Sequence, residues 1–202
     1  ENLPPEVIET IEPEQVVKLK PAIFNRLTTT QLFSFKPFAW SVFTPQIVAN
    51  INPMAFGFAT SAHISVLPAT AAGSFTSVTI QTMTVNACSG LQAGHFSSMS
   101  FDALGAFNIE QLSAVEAEEL EGLEVEQALA MDANVLAGLS EEHKDHLPIT
   151  DEEIVLAEAE GAVEEFVEEG EAEVDGEAEV DGEAEVDGEA EVDGEAEVDG
   201  EA

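Results

Sequence analysis

Three of the four histidines in this 202-residue chain, His63, His95 and His143, share one phase of a sixteen-residue period. An imidazole can bind a metal, move a proton, or form hydrogen bonds through both ring nitrogens. The company these histidines keep favours the last role. Gln15, Gln31, Thr79, Gln111 and Gln127 fall at the same step, and only Ile47 interrupts the polar run. Glutamine shares with histidine a long reach and a hydrogen-bonding tip. The spacing therefore predicts a structural ladder of Gln15, Gln31, His63, His95, Gln111, Gln127 and His143, bonding neighbouring coils or turn amides. His63 and His95 are two coils apart, too far to share a metal.

His143 and His146 form the only other constellation with metal-ligand character. They are spaced i, i+3 beside Glu142 and Asp145, so a short helix would turn both rings to one side and could hold zinc weakly. No H-E-x-x-H pattern accompanies them, and a solvated polar segment is the favoured reading. The single cysteine, Cys88, excludes an internal disulfide and sits at an apolar position, as a small buried hydrophobe would. The chain has no nucleophile elbow, phosphate loop, dinucleotide fingerprint or paired C-x-x-C. It is read as non-enzymatic, with no catalytic residue, no cofactor and no defined metal site.

These side chains belong to a repeat of sixteen positions. With position 1 at Ile11, Leu27, Phe43, Ala59, Phe75, Leu91, Phe107, Leu123 and Leu139, position 9 is apolar in every copy. Position 6 is apolar except at Lys144, and position 14 except at Glu152. A strict period with apolar anchors implies a stacked solenoid, because one coil cannot bury its apolar side alone. Each coil divides into halves of eight. Pro13 and Pro45 occupy position 3, and Pro21, Pro37 and Pro53 the matching place in the second half; Thr44 and Asn52 precede two of them as caps. The pattern predicts an all-α, right-handed solenoid of residues 3–150, each coil made of two very short helices held by packing. The alternative is a β-solenoid or a leucine-rich-repeat-like coil. FTSVTIQTMTVNAC, residues 75–88, carries it, being rich in Thr and Val. The coil resembles short tandem repeats of the LTPEQV…PPEAF kind found in large repeat proteins, over residues 3–154; that resemblance implies no activity.

At the C-terminal end the anchors fail and Thr150 opens a T-x-x-E capping box. An apolar stripe follows at helical spacing, predicting an amphipathic capping helix over 151–170. Residues 171–202 repeat EAEVDG and hold 16 acids, no base and only isolated Val. They cannot bury enough surface to offset chain entropy and are read as a disordered acidic tail.

Net charge is −37, unevenly placed: residues 1–106 hold six acids and four bases, residues 107–202 hold 36 acids and Lys144. Such a field repels nucleic acid and favours cations and basic proteins. No apolar run is long enough to insert in a membrane. The tail lacks EF-hand spacing, so only diffuse, weak calcium binding is expected of it. Phe33, Phe38 and Phe58 lie off the anchor positions and form a candidate exposed binding patch. The repeat begins at Leu3 without a cap, and the chain begins at Glu1. Both suggest a fragment of a larger repeat protein, or end-to-end association through the first coil. The resulting expectation is a structural or protein-binding repeat scaffold; the alternative is a calcium-responsive surface or extracellular protein.

Overall fold

One unit of local structure is repeated along the chain. The computed structural model describes residues 4–157, and every secondary-structure element among them is a short helix, with no strand. From Pro5–Ile8 to Glu141–Asp145, each helix begins eight residues after the previous one and is four to six residues long. Most are α-helical. Pro21–Arg26, Pro37–Val42, Pro53–Phe58 and Ala117–Gly122 are 3-10 helices. Two short helices per repeat is the predicted arrangement.

The stretch that favoured strands shows why they do not form. Residues 75–88 hold the helices Ser77–Thr82 and Val85–Cys88. Two of their threonines are caps. Thr76 Oγ1 accepts from the Thr79 amide at 3.2 Å, and Thr84 Oγ1 from the Ala87 amide at 3.1 Å. A Thr every eight residues thus reads as a helix start, and the extended backbone at these places is that of the cap threonine itself. The β-solenoid and leucine-rich-repeat alternatives therefore fail for residues 4–157.

Helices of four residues do not persist alone, since nucleation is unfavourable and little propagation repays it. Burial must hold them. Position 6 is buried in every coil from Val16 to Ala128, and position 14 from Phe24 to Leu136. Positions 1 and 9 are buried from the third coil onward, with Ile11, Leu19 and Leu27 half-buried at the start. The densest part is aromatic. Trp40 stacks on Phe43 at 4.8 Å between ring centroids and meets Phe33 at 5.3 Å and Phe56 at 6.2 Å. Fully burying one such side chain is worth about 1.5–3 kcal/mol. Position 13 adds a feature that the anchor pattern omitted: Ala39, Ala55, Ala71, Ala87 and Ala103 are all buried there.

Packing between helices follows a different step from the repeat. Every helix from Pro5–Ile8 to Glu141–Asp145 except Ala133–Ala137 makes its extensive contacts with a helix three units away, one and a half repeats along the chain. Ala69–Ala72 packs on Ala93–Ser98, which packs on Ala117–Gly122, which packs on Glu141–Asp145. Ser61–Ile64 packs on Val85–Cys88, and Val85–Cys88 on Ile109–Leu112. The expectation that each two-helix coil stacks on its immediate neighbour is corrected accordingly.

Close approach explains the small residues at the ends of these units. Ser74, Thr82, Gly90, Ser98, Ala106, Ala114, Gly122, Ala130 and Gly138 follow one another every eight residues. Ser74 Oγ donates to the Pro45 carbonyl and Thr82 Oγ1 to the Pro53 carbonyl, both at 3.0 Å and both across 29 residues. Gly90 and Gly122 lie against the backbones of Ser61 and Ala93, at the same separation along the chain, where a Cβ would overlap main-chain atoms.

At the end of the series the register changes. Residues 151–157 are helical and start two residues later than the step of eight would place them. The predicted capping box is present: the Thr150 amide donates to Glu153 Oε2 at 2.7 Å, and the Glu153 amide to Thr150 Oγ1 at 3.3 Å. Ile154 is buried. The rest of the predicted capping helix, the acidic tail and Leu3 lie outside the described residues. No helix among those described is long and apolar enough to cross a membrane.

These contacts make the glycines testable. Gly122→Ala should destabilise by about 1–3 kcal/mol, because backbone must move to admit the methyl group. Gly57→Ala meets only the Thr82 carbonyl, at 3.1 Å, and gains helix propensity, so it should change stability by less than about 1 kcal/mol. Equal thermal shifts for the two variants would contradict the packing step.

Candidate functional site

Position 5 is the third residue of the first helix in each coil, and its side chain turns back to the cap. The Gln31 Oε1 accepts from the Thr28 amide at 2.9 Å, that of Gln111 from Asn108 at 3.1 Å, and that of Gln127 from Glu124 at 3.0 Å. His95 Nδ1 does the same for Gln92 at 2.9 Å, and His63 Nδ1 for Thr60 at 3.3 Å. These are capping boxes in which glutamine or histidine takes the place usual for glutamate.

The far end of the same side chain reaches another part of the chain. Gln111 Nε2 donates to the carbonyls of Ile80 at 2.7 Å and Met83 at 2.8 Å. Gln127 Nε2 donates to Phe96 at 3.2 Å and Met99 at 3.3 Å. His95 Nε2 reaches Leu67 at 2.7 Å, and His143 Nε2 reaches Val115 at 3.1 Å. In each case the acceptor includes the position 9 carbonyl 28 residues earlier. In His95, Gln111 and Gln127 one end therefore accepts a local amide proton and the other donates to a carbonyl two coils back.

This double duty explains the residue types. Glutamate would serve the cap but has no hydrogen to donate. Glutamine does both, and neutral histidine does both in the tautomer with its proton on Nε2. At His95 the tautomer follows from the partners, since Nδ1 receives an N–H and Nε2 faces a carbonyl. Among the described residues the buried polar side chains are Gln31, His63, Thr79, His95, Gln111 and Gln127, all from this one position. Thr79 is shorter and only completes its cap, taking the Thr76 amide at 3.3 Å. Gln15, also in the predicted ladder, caps Glu12 at 2.9 Å but is exposed. His143 is half-buried.

Burial pushes both His63 and His95 below the usual histidine range; at His95 the Leu67 carbonyl and the Glu119 carboxylate oppose that shift. Burial likewise raises the Cys88 thiol to about 12, so it is inert at neutral pH.

The other candidates are dispersed. His143 Nδ1 meets Ser140 Oγ at 2.7 Å, so both its ring nitrogens are engaged. His146 Nδ1 pairs with Glu121 at 2.8 Å. The two rings thus have separate partners, and no group of three His, Cys, Asp or Glu among the described residues could hold a metal ion. The predicted aromatic patch also divides. Phe33 packs on the core, 5.3 Å from Trp40 and edge-on to His63 at 5.2 Å, so it is not part of an exposed surface. Phe38 and Phe58 are both 67% exposed. Their helices have different packing partners: Pro37–Val42 packs on Pro13–Val16 and Ser61–Ile64, and Pro53–Phe58 on Ser77–Thr82.

Two further contacts and one unpartnered group had no signal in single residues. Glu119 Oε2 accepts the Ala93 amide at 2.6 Å, Asn86 Oδ1 accepts the Ser61 amide at 3.4 Å, and Trp40 Nε1 is buried without a hydrogen-bond partner. The first two depend on the three-unit packing step, which the apolar period does not reveal. Placed beside known proteins, the chain matches no family model, no curated protein and no solved structure.

Two outcomes are expected. Gln111→Glu would keep the cap but set a buried carboxylate against two carbonyls, costing about 3 kcal/mol or more. The same change at exposed Gln15 should cost less than about 0.5 kcal/mol. Chemical denaturation of both variants measures the difference. For His63 and His95, the folded state holds fewer protons than the unfolded state at moderately acid pH. Their contribution is complete above the unfolded value of 6.5 and is lost as pH falls below it. The melting temperature should therefore decline below pH 6.5, and less so in the His63→Gln, His95→Gln double variant, whose side chains keep the bonds without titrating.

Proposed function

We propose that residues 4–157 wind as a solenoid with a turn of 28 residues, the offset of the bond between His95 and Leu67, and that it is a non-enzymatic scaffold, structural or protein-binding. Such a turn holds three and a half of the eight-residue units. The observation carrying this reading is the recurrence of one hydrogen-bond offset. His95, Gln111, Gln127 and His143 each reach a carbonyl 28 residues earlier, from the same repeat position to the same repeat position. A constant offset between equivalent residues is what a helical stack of equivalent units requires. In this reading the buried polar groups hold successive turns together, which leaves them no role in chemistry. The acidic tail would draw basic proteins by charge, with an affinity that falls as salt rises.

Paired cysteines test the turn. Pro45 and Ser74 are joined across 29 residues by a hydrogen bond. Cysteines at those two places should be bridged rapidly by a short bifunctional thiol reagent, with buried Cys88 silent. Cysteines at Phe58 and Ser74, one repeat apart, should not. Bridging of the second pair in preference to the first would return the stack to a coil of one repeat. Calcium titration by calorimetry separates the scaffold from the calcium-responsive alternative: weak, unsaturated heats fit the scaffold, and a saturable stoichiometric site refutes it.

A further inference from the structure

No Asp, Glu, Lys or Arg occurs between Lys36 and Asp102, although the chain as a whole carries a net charge of −37. Soluble surfaces ordinarily mix charges of both signs, and an uncharged region this long is the place where such a chain can approach another surface without desolvating ions. The same region exposes large apolar side chains. Met54, Phe58, Val78 and Phe101 are 61%, 67%, 43% and 56% exposed. The helices that bear them pack in series, Pro53–Phe58 on Ser77–Thr82 and Ser77–Thr82 on Phe101–Leu104. Met54 and Val78 are the second residues of their helices and Phe101 the first of its own, so the three stand at matching ends of adjacent helices. They form an apolar row that reaches the edge of the uncharged region, where the exposed Asp102 follows Phe101.

We propose that this row is a self-association face, on which a second copy of the chain docks in antiparallel orientation. Charge decides both the partner and its direction. A cationic partner gains no Coulomb energy from a surface that carries no charge, whereas the matching uncharged face of another copy loses none. On either side of the uncharged region the balance differs. Residues 4–36 hold Glu6, Glu9, Glu12 and Glu14 against Lys18, Lys20, Arg26 and Lys36, and are neutral in sum. Residues 102–157 hold 15 acids and one base. A parallel pair would set acidic half against acidic half. An antiparallel pair, with its two-fold axis near Val78, sets each acidic half beside the neutral N-terminal part of its partner. A two-fold, self-complementary contact is also the commonest way for a chain to pair with itself.

This deepens the scaffold reading by naming a partner, and its test is independent of the turn. Sedimentation equilibrium of the full chain should show a monomer–dimer equilibrium. It should shift toward dimer as salt rises, because salt screens the repulsion between two acidic chains. That is the opposite of the salt response expected for a basic partner. Met54→Glu and Phe101→Glu, each at an exposed position, should leave the melting temperature unchanged and weaken dimerisation at least tenfold. Orientation is read with single cysteines: Val78→Cys should cross-link to itself between copies, and Glu126→Cys should not. A chain that stays monomeric at high salt and millimolar concentration overturns the proposal, whether its face is open or covered by the chain's own residues. So does a dimer unaffected by Met54→Glu and Phe101→Glu. Self-cross-linking through Glu126→Cys overturns the antiparallel arrangement. Bridging of the 45 and 74 cysteines without dimerisation would refute this inference and leave the scaffold standing; dimerisation without that bridge would do the reverse.

Discussion

From Leu91 onward the structure depends on one side chain in each coil doing two things at once. A unit of eight residues contains about one turn of helix, so several of its amides and carbonyls have no partner within it. The residue at position 5 supplies two of the missing bonds. Its near end caps its own helix, and its far end takes a carbonyl 28 residues back. A single Gln111 thereby joins a local requirement to a long-range one, and the rows of apolar anchors align because this link fixes the offset between them. Hydrophobic burial supplies most of the stabilisation, but burial is non-directional and would tolerate several registers. A hydrogen bond in a dry interior tolerates one, since a slip would leave a buried donor and two acceptors unsatisfied.

The same constraint explains why the sequence repeat is twice as long as the structural unit of eight residues. Both halves of a coil form a capped short helix with one buried anchor and one buried residue at its third position. In the first half that residue is Gln, His or Thr, with Ile47 the exception, and in the second it is Ala, from Ala39 to Ala103. Polar stitching and close apolar packing therefore alternate along the chain. If both halves carried the polar link, twice as many donors would have to be satisfied in the interior; if neither did, the register would rest on shape alone.

Much of this was legible in the sequence. The apolar period at positions 1, 6, 9 and 14 identifies the buried residues, and Pro, Thr and Asn before each half identify the helix starts. The shared step of His63, His95 and the glutamines identifies side chains that turn back on their caps, because they differ in chemistry but agree in reach. The packing partners were not legible. A period reports which units are equivalent but not which of them pack together, and that pairing is set by the angle between successive helices. The small residues from Ser74 to Gly138 hold a trace of it, since they recur where units 29 residues apart meet at the backbone. The aromatic patch failed for a related reason: Phe33 lies off the anchor positions, yet the packing brings Trp40 and His63 across to cover it.

Charge then divides what the repeat makes uniform. Every coil must satisfy the same cap and bury the same anchors, so the exposed positions are the ones free to vary. Up to Lys36 they balance acid against base, from Pro37 to Phe101 they carry no charge, and from Asp102 onward they are acidic. Because the interior links are buried and mostly neutral, this gradient leaves them intact; where it intrudes, as at Glu119 beside His95, the carboxylate accepts the Ala93 amide and serves the backbone as well. One framework thus presents three successive surfaces of different chemistry. On the scaffold reading proposed above, the differences between them are where selectivity for a partner would reside.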